Sequence, residues 1–484
     1  SADLDFWTEP PTLWIACQKT VVTAELTGLS GSRQGDSFQS GSIKLLGLKD
    51  GKWTQKRSFA DEVVKSCLRA TPPDHSSQRL YVSPKTGKLY IHEQRHPFKS
   101  FEQVAEIEPE SGKMKLLKMP FPAEDMAFDL EGLAYLRTDR LVVRYSMRNW
   151  QEVPWDYGEE KAKVSDVGDD SGRAAPAMSA LPLPSRYYWH HGGLAVSPRA
   201  HLVASCYIGP KSAPGWGGAE SADTGGATPF SPKLFPGRAY GPRCAVIHMW
   251  NRNGHVVKED VLPGLGVIHG VALDKDDSLY VLASAARVLD GKPYFNRATG
   301  TLMKFRTQQG RIVGSEKTPV PASDGPRPTG EPAIINAVGG LSWVQGAEWM
   351  YGGVGFAGDI AFGQSGCSCA NMRFALDYFG RSFVPETDHY SVAVLDSRGN
   401  LIVRVGRYGN VDDGVPLSKV GNSAIPRSIG GDEVALFHAS YVATHTDRRL
   451  FVSDGGNGRI LGIQLGYHAE EKVLLGTVPD EVAK

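Results

Sequence analysis

The sequence lacks an excess of either charge: 53 Lys and Arg residues are balanced by 53 Asp and Glu residues, for a formal net charge of +0. A balanced chain has no global positive field, which argues against a nucleic-acid partner. The sequence also has no apolar run of membrane-spanning length and no heptad repeat. Neither a membrane-spanning helix nor a coiled coil is therefore predicted.

Several short motifs of known chemistry are absent too. The chain contains no CxxCH, no GxSxG, no P-loop and no GxGxxG between a strand and a helix. These absences argue against c-type haem, a serine hydrolase of the α/β type, nucleotide hydrolysis and Rossmann redox chemistry. No signal peptide precedes Ser1, so we expect a processed mature protein or a trimmed chain.

Cysteine is scarce, with six residues in 484. Cys206 ends one predicted strand and Cys244 begins the next, so a disulfide between them would close the base of the loop that joins these strands. Such a bond favours an oxidising compartment, and we expect an extracellular or periplasmic protein. The alternative is two free, buried thiols. Cys367 and Cys369 are too close for an easy mutual disulfide, and their partner is either an N-terminal cysteine or a metal.

Glycine and proline are abundant, with 55 and 31 residues, as is typical of many short strands joined by tight turns. Strand-like runs pair around turn signals and then pair again, as in RLYVSPKTGKLYIHEQ followed by QVAEIEPESGKMKLLKM. Each quartet is one antiparallel sheet that cannot bury both faces alone. We therefore predict an all-β fold, a single β-propeller domain over residues 1–484. It has about seven four-stranded blades, the first from LWIACQ and SIKLLGLKDGKWTQKRS, or eight if GGLSWVQGAEWMYGG is a further blade.

The C-terminal segments carry a family resemblance. LFVSDGGNGRILGIQL, with Asp454, Asn457 and Arg459, resembles the second and third strands of an NHL repeat. GNLIVRVGRYGNVDDG resembles the fourth strand and exit loop of that repeat. The resemblance is clearest over the C-terminal blades and implies an NHL-like β-propeller. Such propellers serve as protein- or RNA-binding platforms, as scaffolds and, in related folds, as enzymes.

The predicted connections differ between the two faces of the propeller. With the strands of a blade called A to D from the channel outward, the A–B and C–D connections are hairpin turns, and we call their side the short-turn face. The B–C and D–A connections lie on the opposite side, the long-loop face. Aromatic residues such as Trp216 and Tyr294 interleave in these loops and suit stacking on sugar rings or capture of an extended partner. The predicted long insertions are residues 18–40, 158–189, 208–243, 285–299, 320–338 and 411–437.

Three histidines stand just before predicted inner strands, in WHHGGLAV, VIHGVALD and LFHASYVA. They are His191, His269 and His438, and the propeller fold would bring them to the channel mouth on the long-loop face. His269 lies one residue nearer its strand than the other two, in the register of Glu124, so a β-bulge is needed to turn it to the same side. Three imidazoles with an open position form a catalytic-type metal site. We therefore predict a divalent metal (Zn, Mn, Cu or Ca) bound by His191, His269, His438 and Glu124.

This set of residues favours a metal-assisted carbohydrate-active enzyme of the lyase type. The metal would acidify a carbon next to a substrate carboxylate, and an arginine such as Arg373 would pair with that carboxylate. The predicted catalytic residues are His191, His269, Arg373 and Tyr188. Without a metal, a histidine would act as general base with Tyr188 or Arg373 as its partner. A third interpretation is that the histidines hydrogen-bond neighbouring loops and line a water-filled channel.

The alternative function is a non-catalytic extracellular module that binds a protein or a glycan. Both interpretations place a glycan or protein ligand on the long-loop face, without nucleic acid and without a membrane span. They differ in whether the imidazoles converge within ligand distance. The sequence makes no prediction of the oligomeric state.

Overall fold

The computed structural model is almost entirely β-structure. The one helical segment among the described residues is the 3-10 turn Thr387–His389. No helix in this part of the chain is long and apolar enough to cross a membrane. The structure describes residues 2–5, 12–17, 20–25, 33–34, 43–49, 52–59, 78–93, 101–109, 111, 113–138, 141–156, 164–167, 175–177, 179–183, 193–208, 244–262, 264–265, 268–295, 299–306, 310–314, 330–335, 341–355, 372–409, 434–446, 448–454 and 459–465.

The N-terminal strands form a sheet of their own and then a hairpin. The sheet contains β1 (Ala2–Asp5), β2 (Thr12–Cys17), β3 (Thr20–Glu25) and β4 (Arg33–Gln34). The hairpin contains β5 (Ile43–Lys49) and β6 (Lys52–Phe59).

Six further sheets follow, numbered I to VI in chain order with their strands given from the inner edge outward. Sheet I contains β7 (Gln78–Val82), β8 (Leu89–Glu93), β9 (Phe101–Ile107) and β10 (Met114–Ala123). Sheet II contains β11 (Asp125–Phe128), β12 (Leu133–Arg137), β13 (Leu141–Ser146) and, after the hairpin of β14 (Val164–Val167) and β15 (Ala175–Ala177), β16 (Leu181–Pro182). Sheet III contains β17 (Leu194–Val196), β18 (Leu202–Ile208), β19 (Cys244–Trp250) and β20 (Val256–Lys258).

Sheet IV carries a side sheet between its strands. Its own strands are β21 (Ile268–Leu273), β22 (Leu279–Ala283), β25 (Gly300–Phe305) and β29 (Ala347–Val354); the side sheet contains β23 (Ala286–Leu289), β24 (Lys292–Pro293), β26 (Arg311–Gly314), β27 (Ile334–Ile335) and β28 (Leu341–Gln345). Sheet V contains β30 (Ala375–Leu376), β31 (Ser382–Glu386), β32 (Ser391–Leu395) and β33 (Leu401–Val405), followed by the pair β34 (Arg407–Tyr408) and β35 (Ala435–Leu436). Sheet VI contains β36 (Ala439–His445), β37 (Arg449–Asp454) and β38 (Arg459–Gln464), and it continues through a parallel pairing into β5 and β6.

The inner strands of these six sheets lie side by side in chain order, and β36 of sheet VI lies beside β7 of sheet I. Six buried apolar clusters fill the spaces between them, one for each pair of neighbouring sheets, including the pair VI and I. Because sheets packed face to face in a closed circle leave a channel on the axis, this arrangement is a β-propeller. The parallel pairing of β38 with β5 joins the two ends of the described chain in one sheet.

The predicted count of about seven blades is not confirmed. The segment LWIACQ forms β2 in the N-terminal sheet, whereas residues 43–59 belong to sheet VI. GGLSWVQGAEWMYGG is not a further blade, because its second half is β29, the outer strand of sheet IV. Six sheets surround the channel within the described ranges.

The inner strands share an alternation of large and small residues. Their large apolar residues pack into the clusters between sheets. Between these large residues, each inner strand has one position that pairs with an aromatic residue, or in sheet III with Val203, of the second strand. This position is Tyr81 in sheet I and alanine in the other five sheets: Ala127, Ala195, Ala272, Ala375 and Ala443. The small side chains leave space on the axis of the ring.

Each inner strand ends in a turn that an Asp or Ser side chain closes in sheets I to V. Asp129 Oδ1 accepts hydrogen bonds from the N–H groups of three following residues at 2.8–2.9 Å. Asp274 and Asp377 do the same with two N–H groups each, and Ser197 and Ser83 take this place in sheets III and I. These Asx-type turns make the short-turn face a set of rigid hairpins.

Most residues of the predicted long insertions lie outside the described part of the chain. The insertion predicted at 285–299 is described as far as Phe295 and forms β23 and β24. Cys206 is a free thiol, fully buried between sheets II and III, where burial raises its pKa to about 11. The predicted disulfide to Cys244 is therefore not confirmed, and Cys206 matches the alternative of a buried thiol.

Candidate functional site

One layer of the channel carries charge. It comprises the residue that lies two positions before Tyr81 in sheet I and two positions before the equivalent alanine in each of the other inner strands. The strand pairing shows that these positions are equivalent. We call these six residues the charged layer: Arg79, Asp125, Gly193, Gly270, Arg373 and Tyr441.

Asp125 is fully buried, and its carboxylate is held from several sides. Arg373 Nη2 donates to Oδ2 at 2.7 Å, and the Tyr81 hydroxyl donates to Oδ1 at 2.7 Å. Arg79 Nη1 lies 3.8 Å from Oδ1, and the Met126 N–H donates to the same oxygen at 3.0 Å. Burial alone would raise the pKa of this carboxyl, but the guanidinium groups of Arg373 and Arg79 hold it well below its usual range. Asp125 is thus an ionised structural anchor rather than a general base.

Arg373 reaches Asp125 across the channel, from sheet V to sheet II, because the intervening sheets carry glycine. A Cβ on Gly193 would lie 2.4 Å from Arg373 Nη1, and a Cβ on Gly270 would lie 3.5 Å from Arg373 Cδ. Gly193 also has a φ of +116°, which L-residues with a side chain rarely adopt. Gly193 therefore makes room for the side chain that bridges the channel, whereas a Cβ on Gly270 would only touch that side chain at ordinary van der Waals distance.

Arg79 and Tyr81 complete the contacts to Asp125 from sheet I. Arg79 is nearly fully buried, donates from Nη1 to the Glu124 carbonyl oxygen at 2.8 Å, and lies over the Tyr441 ring at 5.8 Å. Burial and the neighbouring Asp125 carboxylate raise the pKa of Tyr81 well above its usual value. Tyr81 therefore stays protonated and acts as a hydrogen-bond donor.

Arg137 adds a third guanidinium beside this layer. It is fully buried, and its Nη1 and Nη2 donate to the carbonyl oxygens of Gly193 and Ser205 at 2.9 and 2.7 Å. These bonds tie sheet II to sheet III. The guanidinium groups of Arg373 and Arg79 thus flank the Asp125 carboxylate, and the positive charge of Arg137 also helps to lower the pKa of Asp125.

His269 is the residue just before Gly270, and Glu124 is the residue just before Asp125, so the two occupy equivalent positions. The strand pairing places Ile268 opposite Ala283 and Gly270 opposite Leu282, so His269 is the extra residue of a β-bulge. The bulge that the predicted histidine site requires is therefore present. The His269 side chain is fully buried.

His438 lies three residues before Tyr441, two positions farther from the charged layer than His269. Its N–H and that of Phe437 both donate to Asp454 Oδ1, at 2.9 and 3.0 Å. Burial lowers the pKa of His438, which keeps the imidazole neutral at pH 7. A second bulge, at Ser440, interrupts the pairing of β36 with β37 between His438 and Tyr441 of the charged layer.

The other predicted site residues, His191 and Tyr188, lie outside the described residues, as do Cys367 and Cys369. Within the described ranges, no group of three His, Cys, Asp or Glu side chains could hold a metal ion. The predicted metal site thus stays a prediction that depends on His191. Arg373, predicted to meet a substrate carboxylate, is paired with Asp125, and its contact with a substrate stays a prediction.

A second feature is a row of aromatic rings on the long-loop face. Three connections contribute to it: the loop after β23, the turn between β31 and β32, and the connection between sheets V and VI. Ring centroids lie 6.3 and 4.7 Å apart along Tyr294, Phe295 and His389, and 4.8 and 6.1 Å apart along Tyr390, Tyr408 and Phe437; the two groups are joined through the neighbouring residues His389 and Tyr390. We call these residues the aromatic platform: Tyr294, Phe295, His389, Tyr390, Tyr408 and Phe437. Its last ring directly precedes His438.

The platform holds bulky side chains in exposed and strained positions. Phe295 is 49% exposed, and its φ of 67° is costly for a residue with a large side chain. Tyr390 has a φ of 53°. Such strain costs about 1–3 kcal/mol per residue and clusters at functional sites. Burial of apolar area does not explain it, because the Phe295 ring remains in contact with solvent.

Glycines shape the support of the platform. A Cβ on Gly352 or Gly353 of β29 would lie 3.1 or 3.5 Å from the Tyr294 ring, so this ring packs flat on bare backbone. Gly406, with a φ of +102°, lets the chain pass under Leu436 before Tyr408. Sequence reasoning found Tyr294 but missed the other five rings, because they come from loops that only the fold brings together.

The fold and these two sites define a β-propeller with a bridged channel and an aromatic long-loop face. No protein-family model matches the chain, and no curated protein matches its sequence. The resemblance to NHL repeats therefore stays a prediction. The chain is similar to three solved structures, each with a TM-score of 0.33. They are the calcium-binding protein regucalcin from Agrobacterium tumefaciens (11% identity, 78% of this chain and 81% of that chain), a gluconolactonase from Xanthomonas campestris (11%, 79% and 84%) and a streptogramin B lyase (10%, 81% and 94%).

Proposed function

We propose that the protein is an exported β-propeller of the NHL-like type that binds glycans on its long-loop face. The observation that carries this proposal is the aromatic platform, in which four of the six rings are exposed and one of these, Phe295, is held at the cost of backbone strain. The apolar C–H faces of sugar rings stack on aromatic side chains, and sugar hydroxyls need polar partners close by. Asp388 and Arg407 are exposed beside platform residues and supply charged groups of both signs.

Affinity electrophoresis in gels that contain a soluble polysaccharide tests this proposal. Suitable polysaccharides are xyloglucan, galactomannan, hydroxyethyl cellulose and polygalacturonate. We expect at least one of them to retard the parent protein, and Phe295→Ala/Tyr408→Ala to abolish that retardation. The matched control is Tyr378→Ala/Phe379→Ala, which removes two rings of similar exposure from the short-turn face. Equal retardation of the platform variant and the control would refute the proposal.

A second candidate function is a metal-assisted polysaccharide lyase, favoured by the β-bulge at His269, which the predicted histidine site requires. In such a lyase a base removes the proton next to the uronate carboxylate, the glycosidic C–O bond breaks, and a double bond forms. His191, His269 and His438 would hold a divalent metal that acidifies this carbon. Metal content by mass spectrometry, compared with His191→Ala/His438→Ala, tests the site. The ultraviolet absorbance of the unsaturated product from polygalacturonate tests the reaction. Absence of metal from the parent would eliminate the metal-assisted form.

A further inference from the structure

A cavity of about 240 Å³ lies in the channel on the opposite side of the charged layer from the aromatic platform. Its inner end is lined by Tyr81, Gly270, Arg373 and Tyr441, and its outer end by turn residues of the short-turn face such as Tyr378. The Arg373 side chain, which crosses to Asp125, forms the floor. The cavity therefore opens on the short-turn face, away from the platform.

The walls of this cavity are apolar and are kept open by small residues. Ala127, Ala195, Ala272, Ala375 and Ala443 all line it, each from a different inner strand. A larger residue at these positions would fill the axis of the ring. Apolar cavities of about 150 Å³ hold a ligand the size of benzene, so this one takes a ligand of about eight to ten heavy atoms.

The floor of the cavity is positively charged. Arg373 and Arg79 lie 2.7 and 3.8 Å from the Asp125 carboxylate, and the charge of Arg137 acts on the same carboxylate, so guanidinium groups outnumber the carboxylate that they contact. At the open end, the carboxylates of Asp129 and Asp377 accept hydrogen bonds from their own turns. An anionic group is thus favoured at the floor rather than at the mouth.

From these observations we propose that the channel binds a small carboxylate with an apolar tail. The carboxylate lies at the floor beside the Arg373 guanidinium, and the tail lies between the alanines. This site is independent of the glycan site, because the charged layer separates the two. Charge-assisted hydrogen bonds in a site that excludes water strengthen the selection of the anion over a neutral ligand of the same shape.

Isothermal titration with hexanoate, hexan-1-ol and hexylamine tests the proposal on the parent protein. We expect hexanoate to bind and the alcohol and amine to bind at least about tenfold more weakly, as the loss of one charge-assisted contact implies. Equal binding of hexanoate and hexan-1-ol, or no binding of hexanoate, would overturn it.

Cavity-filling variants test the location. Ala195→Leu is expected to weaken hexanoate binding by at least about tenfold, because the added methyl groups occupy the site of the tail. Ala347→Leu is the matched control, since Ala347 is half-buried and does not line the cavity. Undiminished binding to a folded Ala195→Leu variant would place the ligand elsewhere. If Ala195→Leu does not fold, Ala375→Leu replaces it, and the comparison of the three probes stands on its own.

Discussion

Arg373 and Asp125 lie 248 positions apart in the sequence, and their side chains meet across the channel at 2.7 Å. Their pairing divides the propeller axis into two compartments. The histidines and the aromatic platform lie on the long-loop side, and the apolar cavity lies on the short-turn side. The bridge depends on Gly193, where a Cβ would meet the Arg373 guanidinium.

Removal of the bridge is expected to destabilise the fold. Arg373→Met leaves a buried Asp125 carboxylate with weaker compensation, which costs about 3–5 kcal/mol of the free energy of unfolding. Asp125→Asn/Arg373→Met is expected to cost clearly less than the sum of the single changes, because both single changes break the same ion pair. Urea unfolding measures both. Arg306→Met, which breaks an exposed pair with Glu348, is the control and is expected to change stability by no more than about 1 kcal/mol. Additive single effects would contradict a direct interaction.

Gly193 is expected to be irreplaceable for a steric reason beyond its backbone angle. Gly193→Ala adds both the strain of a positive φ and a Cβ 2.4 Å from Arg373 Nη1. Gly330 has a similar φ, +122°, with nothing within 4 Å of its Cβ, so Gly330→Ala reports the strain alone. We expect the first change to cost about 2 kcal/mol more than the second in urea unfolding. Equal costs would mean that Arg373 does not pass over Gly193.

Acid is expected to destabilise the protein through His248. This side chain is nearly fully buried, its Nδ1 accepts the Asp260 N–H at 3.1 Å, and burial lowers its pKa to about 3. In the unfolded chain His248 binds a proton near pH 6.5, whereas in the folded chain it does not bind a proton until about pH 3. Stability is therefore lost as the pH falls through this window, by about 1.4 kcal/mol per pH unit. His248→Gln keeps an acceptor but binds no proton, so its slope between pH 6 and pH 5, measured by urea unfolding, should be smaller by about one proton.

The control for that experiment is His255→Gln, since His255 is exposed. An unchanged slope in His248→Gln would show that other groups dominate the acid response. Asp125 does not confuse the comparison, because a carboxyl with a lowered pKa loses its contribution only below its ordinary value.

Arg144 is expected to hold neighbouring sheets together. Its guanidinium donates to the carbonyl oxygens of Val153, Pro154 and Arg252 at 2.6–3.0 Å and stacks on Trp155 at 4.5 Å. Lysine cannot reproduce this planar fork, so Arg144→Lys should cost about 2 kcal/mol. Arg148→Lys, at an exposed position of the next turn, should be neutral. Equal thermal midpoints of the two variants would argue against the role of Arg144.

The regular part of the fold could be predicted from the sequence, because strand alternation and turn residues are local signals. The segments GLAV and GVAL, which follow His191 and His269, are predicted inner strands and lie in β17 and β21. The number of sheets was harder. The outer strands β5 and β6 come from the N-terminal part of the chain and join sheet VI, and no local pattern signals such a pairing.

The site could be predicted only in part. Arg373 was expected to meet a substrate, and its pairing with Asp125 depends on the absence of a side chain at Gly193. The aromatic platform was missed for a different reason. Phe295, Tyr390 and Tyr408 stand in separate loops with no periodicity, and only the ring of sheets brings them together.

Hydrogen–deuterium exchange with and without the polysaccharide that retards the protein most strongly tests the central claim most directly. The account predicts slower exchange of backbone amides in residues 286–295, 387–391 and 406–409, which carry the aromatic platform, and unchanged exchange in the turns of the short-turn face. Protection confined to the short-turn face, or no protection of these three segments, would contradict glycan binding at the platform.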